Sequence, residues 1–262
     1  MSTIKITSVG KKPNLKNPVL LEGLPGIGNV GKVAVDFIVE ELKAKKIYEI
    51  SSYTFPHSVF VNEDNLVELP KIEVFYKQGK RDILFLVGDI QPMDEVSSYE
   101  FSEKMLDILE QFKGKEVITL GGIGLTEIPK KPKIYCTGNS KKMIKSYAQN
   151  GVNSKLYGVV GPIVGVSGLL LGLAEKRNIE AVSLLAETYA HPMYLGMQGA
   201  KEILKVLNTK LGLKIDIKKM DDEIKEIESD MMKKTEELSE VMKQTALKKI
   251  QGKFGDDVNY IG

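Results

Sequence analysis

The sequence of 262 residues contains no tryptophan, two histidines and a single cysteine, Cys136. One cysteine cannot form an intramolecular disulfide and cannot supply a thiolate-rich metal site. Without tryptophan, and without basic residues interleaved with aromatic ones, the chain lacks the usual pattern of a nucleic-acid-binding surface. Its 37 basic and 35 acidic residues nearly balance, which points the same way. We therefore expect no nucleic-acid partner.

Long apolar runs are also missing, since none approaches the ~20 residues that a membrane span needs. The longest candidate, Val159 to Ala174, is interrupted by four glycines and a proline. The first five residues, Met1 to Lys5, lack the apolar core of a signal peptide. A hydrophobic content of 42% is nevertheless sufficient for a globular core. The sequence predicts a soluble, cytoplasmic protein with no membrane partner.

Strand-like and helix-like segments alternate over the first four fifths of the chain, which is typical of an α/β fold. The predicted strands are residues 19–22, 47–53, 72–76, 83–87, 117–120, 133–137, 157–160 and 181–187. The predicted helices are residues 30–42, 97–112, 140–149, 167–176 and 195–210. A turn at Gln78-Gly79-Lys80 predicts an antiparallel hairpin between the third and fourth strands. Continuous apolar strands between helices otherwise indicate a mostly parallel sheet flanked by helices.

Composition changes after Gly212, which divides the chain into a predicted α/β domain (residues 1–212) and a helical extension with a flexible tail (residues 213–262). No glycine or proline occurs from Ile215 to Ile250, and six of the eight positions that step by alternating four and three from residue 220 to residue 245 are apolar. This spacing is typical of a coiled-coil seam between chains. A long helix packed on its own domain is the alternative. The predicted oligomerisation seam consists of Met220, Ile224, Ile227, Met231, Leu238 and Val241.

A glycine-dense turn follows the first predicted strand, where Gly26, Gly28 and Gly31 have the spacing G-x-G-x-x-G. This spacing can hold a pyrophosphate at a helix N-terminus, so one hypothesis is a nucleotide- or nucleoside-binding enzyme. The other hypothesis is that the glycines allow strand, turn and helix to pack closely. We favour packing, because Glu22 beside the turn would repel a phosphate and no hydride-transfer residues follow. No cofactor is therefore expected.

Candidate catalytic residues are few. Cys136 lies in a predicted strand, where a small buried hydrophobe is the usual role. The two histidines, His57 and His191, lie next to prolines and fit rigid loop corners, although a metal site with Glu187 is an alternative. Glu187 could also form an acid–base pair with His191, but a hydrogen-bonded glutamate that fixes a loop is favoured. The sequence thus predicts no catalytic and no metal-binding residue.

Several segments together resemble the proteasome assembly chaperone 2 family, in particular its archaeal members. The resemblance covers roughly residues 15–210, and its most specific part is the block from Glu22 to Gly31, with Pro25 included. It is supported by Gly121-Gly122 after a strand, by the block from Gly161 to Leu170, and by Glu187-Thr188 with Pro192.

The resemblance implies a phosphorylase/hydrolase-like α/β domain without catalytic activity. It also implies homo-oligomers that engage the proteasome α ring or another chaperone-family chain. Family partners of this kind dock through a tail that ends in a hydrophobic residue, a tyrosine and one last residue. Here Tyr260 is followed by Ile261 and Gly262, and Asn259 stands where the hydrophobic residue would be. The resemblance thus implies partner binding through Tyr260, Ile261 and Gly262.

Overall fold

The computed structural model describes residues 4–149, 151–156, 158, 161–222 and 224. These residues form eleven strands and five α-helices. The strands are β1 (Ile4–Ser8), β2 (Val19–Gly23), β3 (Lys45–Ser52), β4 (Phe60–Val61), β5 (Val67–Glu68), β6 (Ile72–Lys77), β7 (Ile83–Gly88), β8 (Glu116–Leu125), β9 (Ile134–Gly138), β10 (Val152–Asn153) and β11 (Glu180–Tyr189). The helices are α1 (Val30–Glu41), α2 (Glu95–Gln111), α3 (Lys141–Tyr147), α4 (Val166–Lys176) and α5 (Met197–Leu211).

Nine of the strands form one sheet, in the order β1-β3-β6-β7-β2-β8-β11-β9-β10, and β4 and β5 form a separate hairpin. The prediction of a mostly parallel sheet is wrong, because the sheet is mixed. The four central strands β7, β2, β8 and β11 are parallel, whereas β1, β3 and β6 on one side and β9 on the other pair antiparallel.

The lengths of the connections between strands explain why the sheet combines parallel and antiparallel pairs. Parallel neighbours require a crossover of a dozen or more residues, usually a helix. β6 and β7 are joined by a short turn and therefore pair antiparallel, as the sequence predicted. β9 follows β8 without a helix between them, so the chain reverses direction and β9 pairs antiparallel with β11.

Helices cover both faces of the sheet, as predicted. α2 and α4 pack together over one large core, which includes Leu20, Leu86, Phe101, Val117 and Leu170. α1 and α5 pack together on the other face, over the central strands and β11. Every residue of β2 and β7 is buried, which explains the continuous apolar runs at residues 19–21 and 83–87.

Local capping fixes where two of the helices begin. The Asp94 side chain accepts a hydrogen bond from the Ser97 amide at 2.9 Å, which starts α2, and Ser140 caps α3 through the Met143 amide in the same way. These contacts satisfy backbone donors that a helix cannot satisfy internally. Among the described residues, no helix is both long and apolar enough to cross a membrane.

Internal contacts divide the chain into two units, Met1–Asp216 and Ile217–Gly262. In the second unit Met220 and Ile224 are buried. The remaining residues of the predicted seam, Ile227, Met231, Leu238 and Val241, lie outside the described residues, as do Tyr260, Ile261 and Gly262. The seam, the tail and the domain boundary at residue 212 stay predictions. Of the predicted strand at residues 157–160, only Gly158 is described, in a turn.

Candidate functional site

The glycine-dense turn lies at the carboxyl end of β2, in the middle of the parallel strands, and leads into α1. A Cβ atom added to Gly31 would lie 2.6 Å from the Leu120 carbonyl oxygen of β8. Gly28 has a φ of +63°, and a Cβ atom there would lie 2.6 Å from Thr188 Oγ1 of β11. Both distances are too short for a real side chain, so these two glycines allow close packing, as the sequence predicted.

Gly26 differs from the other two glycines of the motif. An added Cβ atom would have no neighbour within 4 Å, and its φ of −155° is extended backbone that any residue can adopt. The packing role predicted for the glycines therefore holds at Gly28 and Gly31 but not at Gly26.

Neighbouring segments hold the turn from two further directions. The Gly196 amide donates a 2.7 Å hydrogen bond to the Gly28 carbonyl oxygen. A Cβ atom added to Gly122 of β8 would lie 2.2 Å from the Ile27 carbonyl oxygen. These contacts engage carbonyl oxygens of the turn, while Gly26 and Ile27 stay exposed. Packing accounts for Gly28 and Gly31 of the motif without a ligand.

The Glu22 side chain is fully buried at the carboxyl end of β2. Its Oε1 accepts the Leu24 amide at 2.9 Å, and its Oε2 accepts the Ser167 hydroxyl at 2.9 Å. Burial raises the pKa of the Glu22 carboxyl to about 7, against the opposing effect of these hydrogen bonds. The predicted repulsion of a phosphate by Glu22 stays a prediction, and the raised pKa of this buried carboxyl weakens it at neutral pH.

Glu22 belongs to a row of polar side chains that crosses the sheet. It pairs in register with Thr119 of β8, and Thr119 pairs with Ser183 of β11. Side chains at paired positions of parallel strands point to the same face. Thr119 and Ser183 are fully buried, and within the described part of the chain their hydroxyls have no hydrogen-bond partner. The row therefore places three buried polar groups in an otherwise apolar core.

Gln91 connects the glycine-dense turn to α4, a link that the sequence analysis missed. Its Nε2 donates to the Pro25 carbonyl oxygen at 2.8 Å, and its Oε1 accepts the Val166 amide at 3.3 Å. Ser167, the next residue, bonds Glu22. The first turn of α4 is therefore tied to β2 and to the loop after it by two polar side chains.

The other candidate residues have structural roles. Cys136 is buried, and Glu187 accepts the Lys133 amide at 3.0 Å and the Tyr135 hydroxyl at 3.2 Å. This is the loop-fixing role that was favoured for Glu187. His191 stacks on Tyr189 with ring centres 5.5 Å apart. No group of three or more histidine, cysteine or carboxylate side chains is placed to hold a metal ion in the described ranges.

The glycine contacts predict opposite outcomes for two neighbouring substitutions. Gly31→Ala should lower the free energy of unfolding by roughly 2–3 kcal/mol, because the new methyl group overlaps the β8 backbone. Gly26→Ala is the matched control and should change it by less than about 0.5 kcal/mol. Urea denaturation followed by circular dichroism measures both. Equal losses in the two variants would contradict the packing role.

The raised pKa of Glu22 predicts that the stability of the folded chain depends on pH. The folded chain keeps the Glu22 proton between pH 4.5 and about 7, where the unfolded chain has lost it. The free energy of unfolding should therefore fall as pH rises through this window, by roughly 3 kcal/mol in total. Glu22→Gln should abolish this loss, whereas Glu40→Gln on the exposed side of α1 should behave as the wild type. Urea denaturation between pH 5 and 8 measures the slope, and an unchanged slope in Glu22→Gln would refute the assignment.

Known proteins share this sequence pattern and this architecture. The sequence profile of the PAC2 family matches residues 20–235. The crystal structure of Pyrococcus furiosus PbaB, an archaeal proteasome activator, superposes with a TM-score of 0.81 at 33% identity, over 89% of this chain and 99% of PbaB. P. furiosus PbaA, an archaeal homolog of proteasome-assembly chaperone, shares the fold at 24% identity, with a TM-score of 0.75 over 94% and 98% of the two chains.

A sequence relative extends the similarity along nearly the whole chain. Protein MJ1210 of Methanocaldococcus jannaschii is 29% identical over 249 residues, which are 95% of this chain and 93% of MJ1210. The family match covers most of the chain and includes the block from Glu22 to Gly31 that carried the resemblance. The chain therefore belongs to the PAC2 family.

Proposed function

We propose that this protein is a non-enzymatic, homo-oligomeric chaperone that binds proteasome α subunits or a related chaperone-family chain. The observation that carries the proposal is the similarity to PbaB, an archaeal proteasome activator, at 33% identity over 99% of that chain. The phosphorylase/hydrolase-like classification of the sheet and the coiled-coil extension are parts of the same proposal.

The site geometry supports binding rather than catalysis. A ligand is not needed to account for Gly28 and Gly31, because these glycines pack against Thr188 and the Leu120 backbone. The buried Glu22 carboxyl accepts the Leu24 amide and the Ser167 hydroxyl of α4. Function is therefore assigned to the outer surfaces of the protein and to its C-terminal segment.

Multivalency gives the proposed oligomer its affinity for a ring of α subunits. When several identical segments belong to one oligomer, each contact after the first is effectively intramolecular. Tyr260, Ile261 and Gly262 are the proposed docking residues, and Ile227, Met231, Leu238 and Val241 are proposed to join the copies, since Met220 and Ile224 are already buried within one chain. Weak individual segments can then bind a symmetric ring tightly.

A pull-down with assembled archaeal α rings tests the proposed function. The full chain should be retained, and a variant without residues 259–262 should be retained roughly tenfold less or worse. Tyr99→Ala, which removes an exposed tyrosine from α2, is the control and should bind as the full chain does. Failure of the full chain to bind would overturn the function, whereas equal binding of the shortened variant would overturn only the role of the tail.

The seam predicts a change in mass when its apolar residues become charged. The double variant Ile227→Asp with Leu238→Asp should form smaller species in light scattering, because charge is not tolerated in a coiled-coil interface. Ser229→Asp with Ser239→Asp introduces the same charge on positions flanking the seam and should keep the wild-type mass. Identical masses for both double variants would mean that the seam does not join copies.

A further inference from the structure

The segment from Tyr53 to Leu69, which contains the β4–β5 hairpin, exposes an unusual amount of apolar surface. It carries seven exposed large apolar side chains, half of all those found among the described residues. Val61 and Val67 face each other across the hairpin and are 66% and 68% exposed. Exposed apolar surface of this kind marks interaction sites, and an isolated two-stranded hairpin is only marginally stable without a covering surface.

The same segment is acidic. It contains Glu63, Asp64 and Glu68 but no lysine or arginine, in a chain with 37 basic residues. Glu63 and Asp64 are exposed at the tip of the hairpin, whereas Glu68 is paired with Lys71. We call residues 59–69 the acidic hairpin. Its partner surface should combine apolar contacts with positive charge.

Hydrogen bonds within the turn hold the acidic hairpin in shape. Asn62 Oδ1 accepts the amides of Asp64 and Leu66 at 3.1 and 2.9 Å, and Asn62 Nδ2 donates to Glu68 at 2.9 Å. Asn65 adopts a φ of +60°, which asparagine tolerates better than most residues. The tip is therefore organised before it meets a partner, which lowers the entropic cost of binding.

A complementary surface lies elsewhere on the same domain. A cleft of about 620 Å³ separates one side of α5 from the segment that enters β9 and from β10. Four lysines line it, namely Lys131, Lys133, Lys205 and Lys210, against a single acid, Glu202, which pairs with Lys205 at 2.6 Å. We call this surface the lysine cleft.

The lysine cleft also has an apolar component. Pro132, Ile134 and Val152 contribute buried apolar side chains, and Val206 lies among the polar residues of α5. Its volume is in the range of pockets that enclose a bound group, ~300–1,000 Å³. The lysine cleft thus offers a net positive charge that complements the acidic hairpin, with half-buried Val206 as an apolar contact.

We propose that the acidic hairpin of one copy inserts into the lysine cleft of a second copy of this chain. Because the two surfaces differ, this contact is heterologous, and repeated copies form a closed ring where the rotation between neighbouring copies closes. The proposal rests on the homo-oligomeric function proposed above and supplies an interface for it within residues 53–210. A symmetric hairpin-to-hairpin contact is less favourable, because it would bring Glu63 and Asp64 of two copies together.

Charge reversal and its rescue test the proposal in the full chain. Glu63→Lys with Asp64→Lys, and separately Lys131→Glu with Lys205→Glu, should each reduce the mass measured by light scattering at least twofold. All four substitutions in one chain restore opposite charges between the surfaces, so the mass should recover. An equimolar mixture of the two double variants should also recover it, since each hairpin then meets a cleft of opposite charge.

The control variant is Lys11→Glu with Lys80→Glu, which makes the same change in net charge as the cleft variant at two exposed lysines outside the cleft and should keep the wild-type mass. A monomeric wild-type chain, unchanged masses in the double variants, or failure of the fourfold variant to recover would overturn the proposal. α-ring retention in the pull-down above reports separately on the proposed function, so the two failures are distinguishable.

Disulfide trapping reports on the contact directly, whether or not another interface also joins the copies. Asp64→Cys chains mixed with Lys131→Cys chains should form a disulfide-linked dimer under mild oxidation, because Cys136 is buried and only the introduced thiols are accessible. Asp64→Cys mixed with Lys80→Cys is the control and should cross-link at least tenfold less. Equal cross-linking of the two mixtures would contradict the proposed contact.

Discussion

Backbone packing around the glycine-dense turn is the constraint on which the centre of this fold depends. The Gly31 backbone lies against β8, and Gly28 lies against Thr188 of β11, so α1 can lie close to the central parallel strands. Gly196 closes the arrangement from the loop before α5 through its hydrogen bond to Gly28. A side chain at Gly28 or Gly31 would push apart the layers that form the core. The motif thus determines how α1, β2, β8, β11 and α5 fit together.

Beneath this turn the core contains the carboxyl group of Glu22, and burial favours its protonated form. Glu22 is held by the Leu24 amide and the Ser167 hydroxyl, and the cost of burying its charge raises its pKa to about 7. Its hydrogen bond to Ser167 and the two contacts of Gln91 position the start of α4 relative to β2. Directional hydrogen bonds therefore join β2, the loop after it and α4 at the carboxyl end of the central strands.

Periodicity and turn residues predicted the helices, the central strands and the β6–β7 hairpin, because these signals are local. The strand order and the antiparallel pairing of β9 could not be predicted in this way, since they depend on which distant segments meet. Packing at Gly28 and Gly31 was predicted because no residues suited to nucleotide chemistry follow them. The sequence could not identify Thr188 as the neighbour of Gly28, since the two lie some 160 residues apart. The burial of Glu22 and the role of Gln91 depend on tertiary contacts in the same way, although an acid at the end of a fully apolar strand is a usable signal.

In this PAC2 protein, packing against β8 and β11 accounts for Gly31 and Gly28 without a ligand, which agrees with the proposed role in binding other subunits. Thermal denaturation in the presence of NAD, ATP and adenosine tests this central claim most directly. A ligand at a hundred times its Kd stabilises a protein by about 2.7 kcal/mol, which raises the melting temperature measurably. The account predicts an unchanged melting temperature with all three. An increase that is lost in Gly26→Ala would show that the turn receives a nucleotide and would contradict the account.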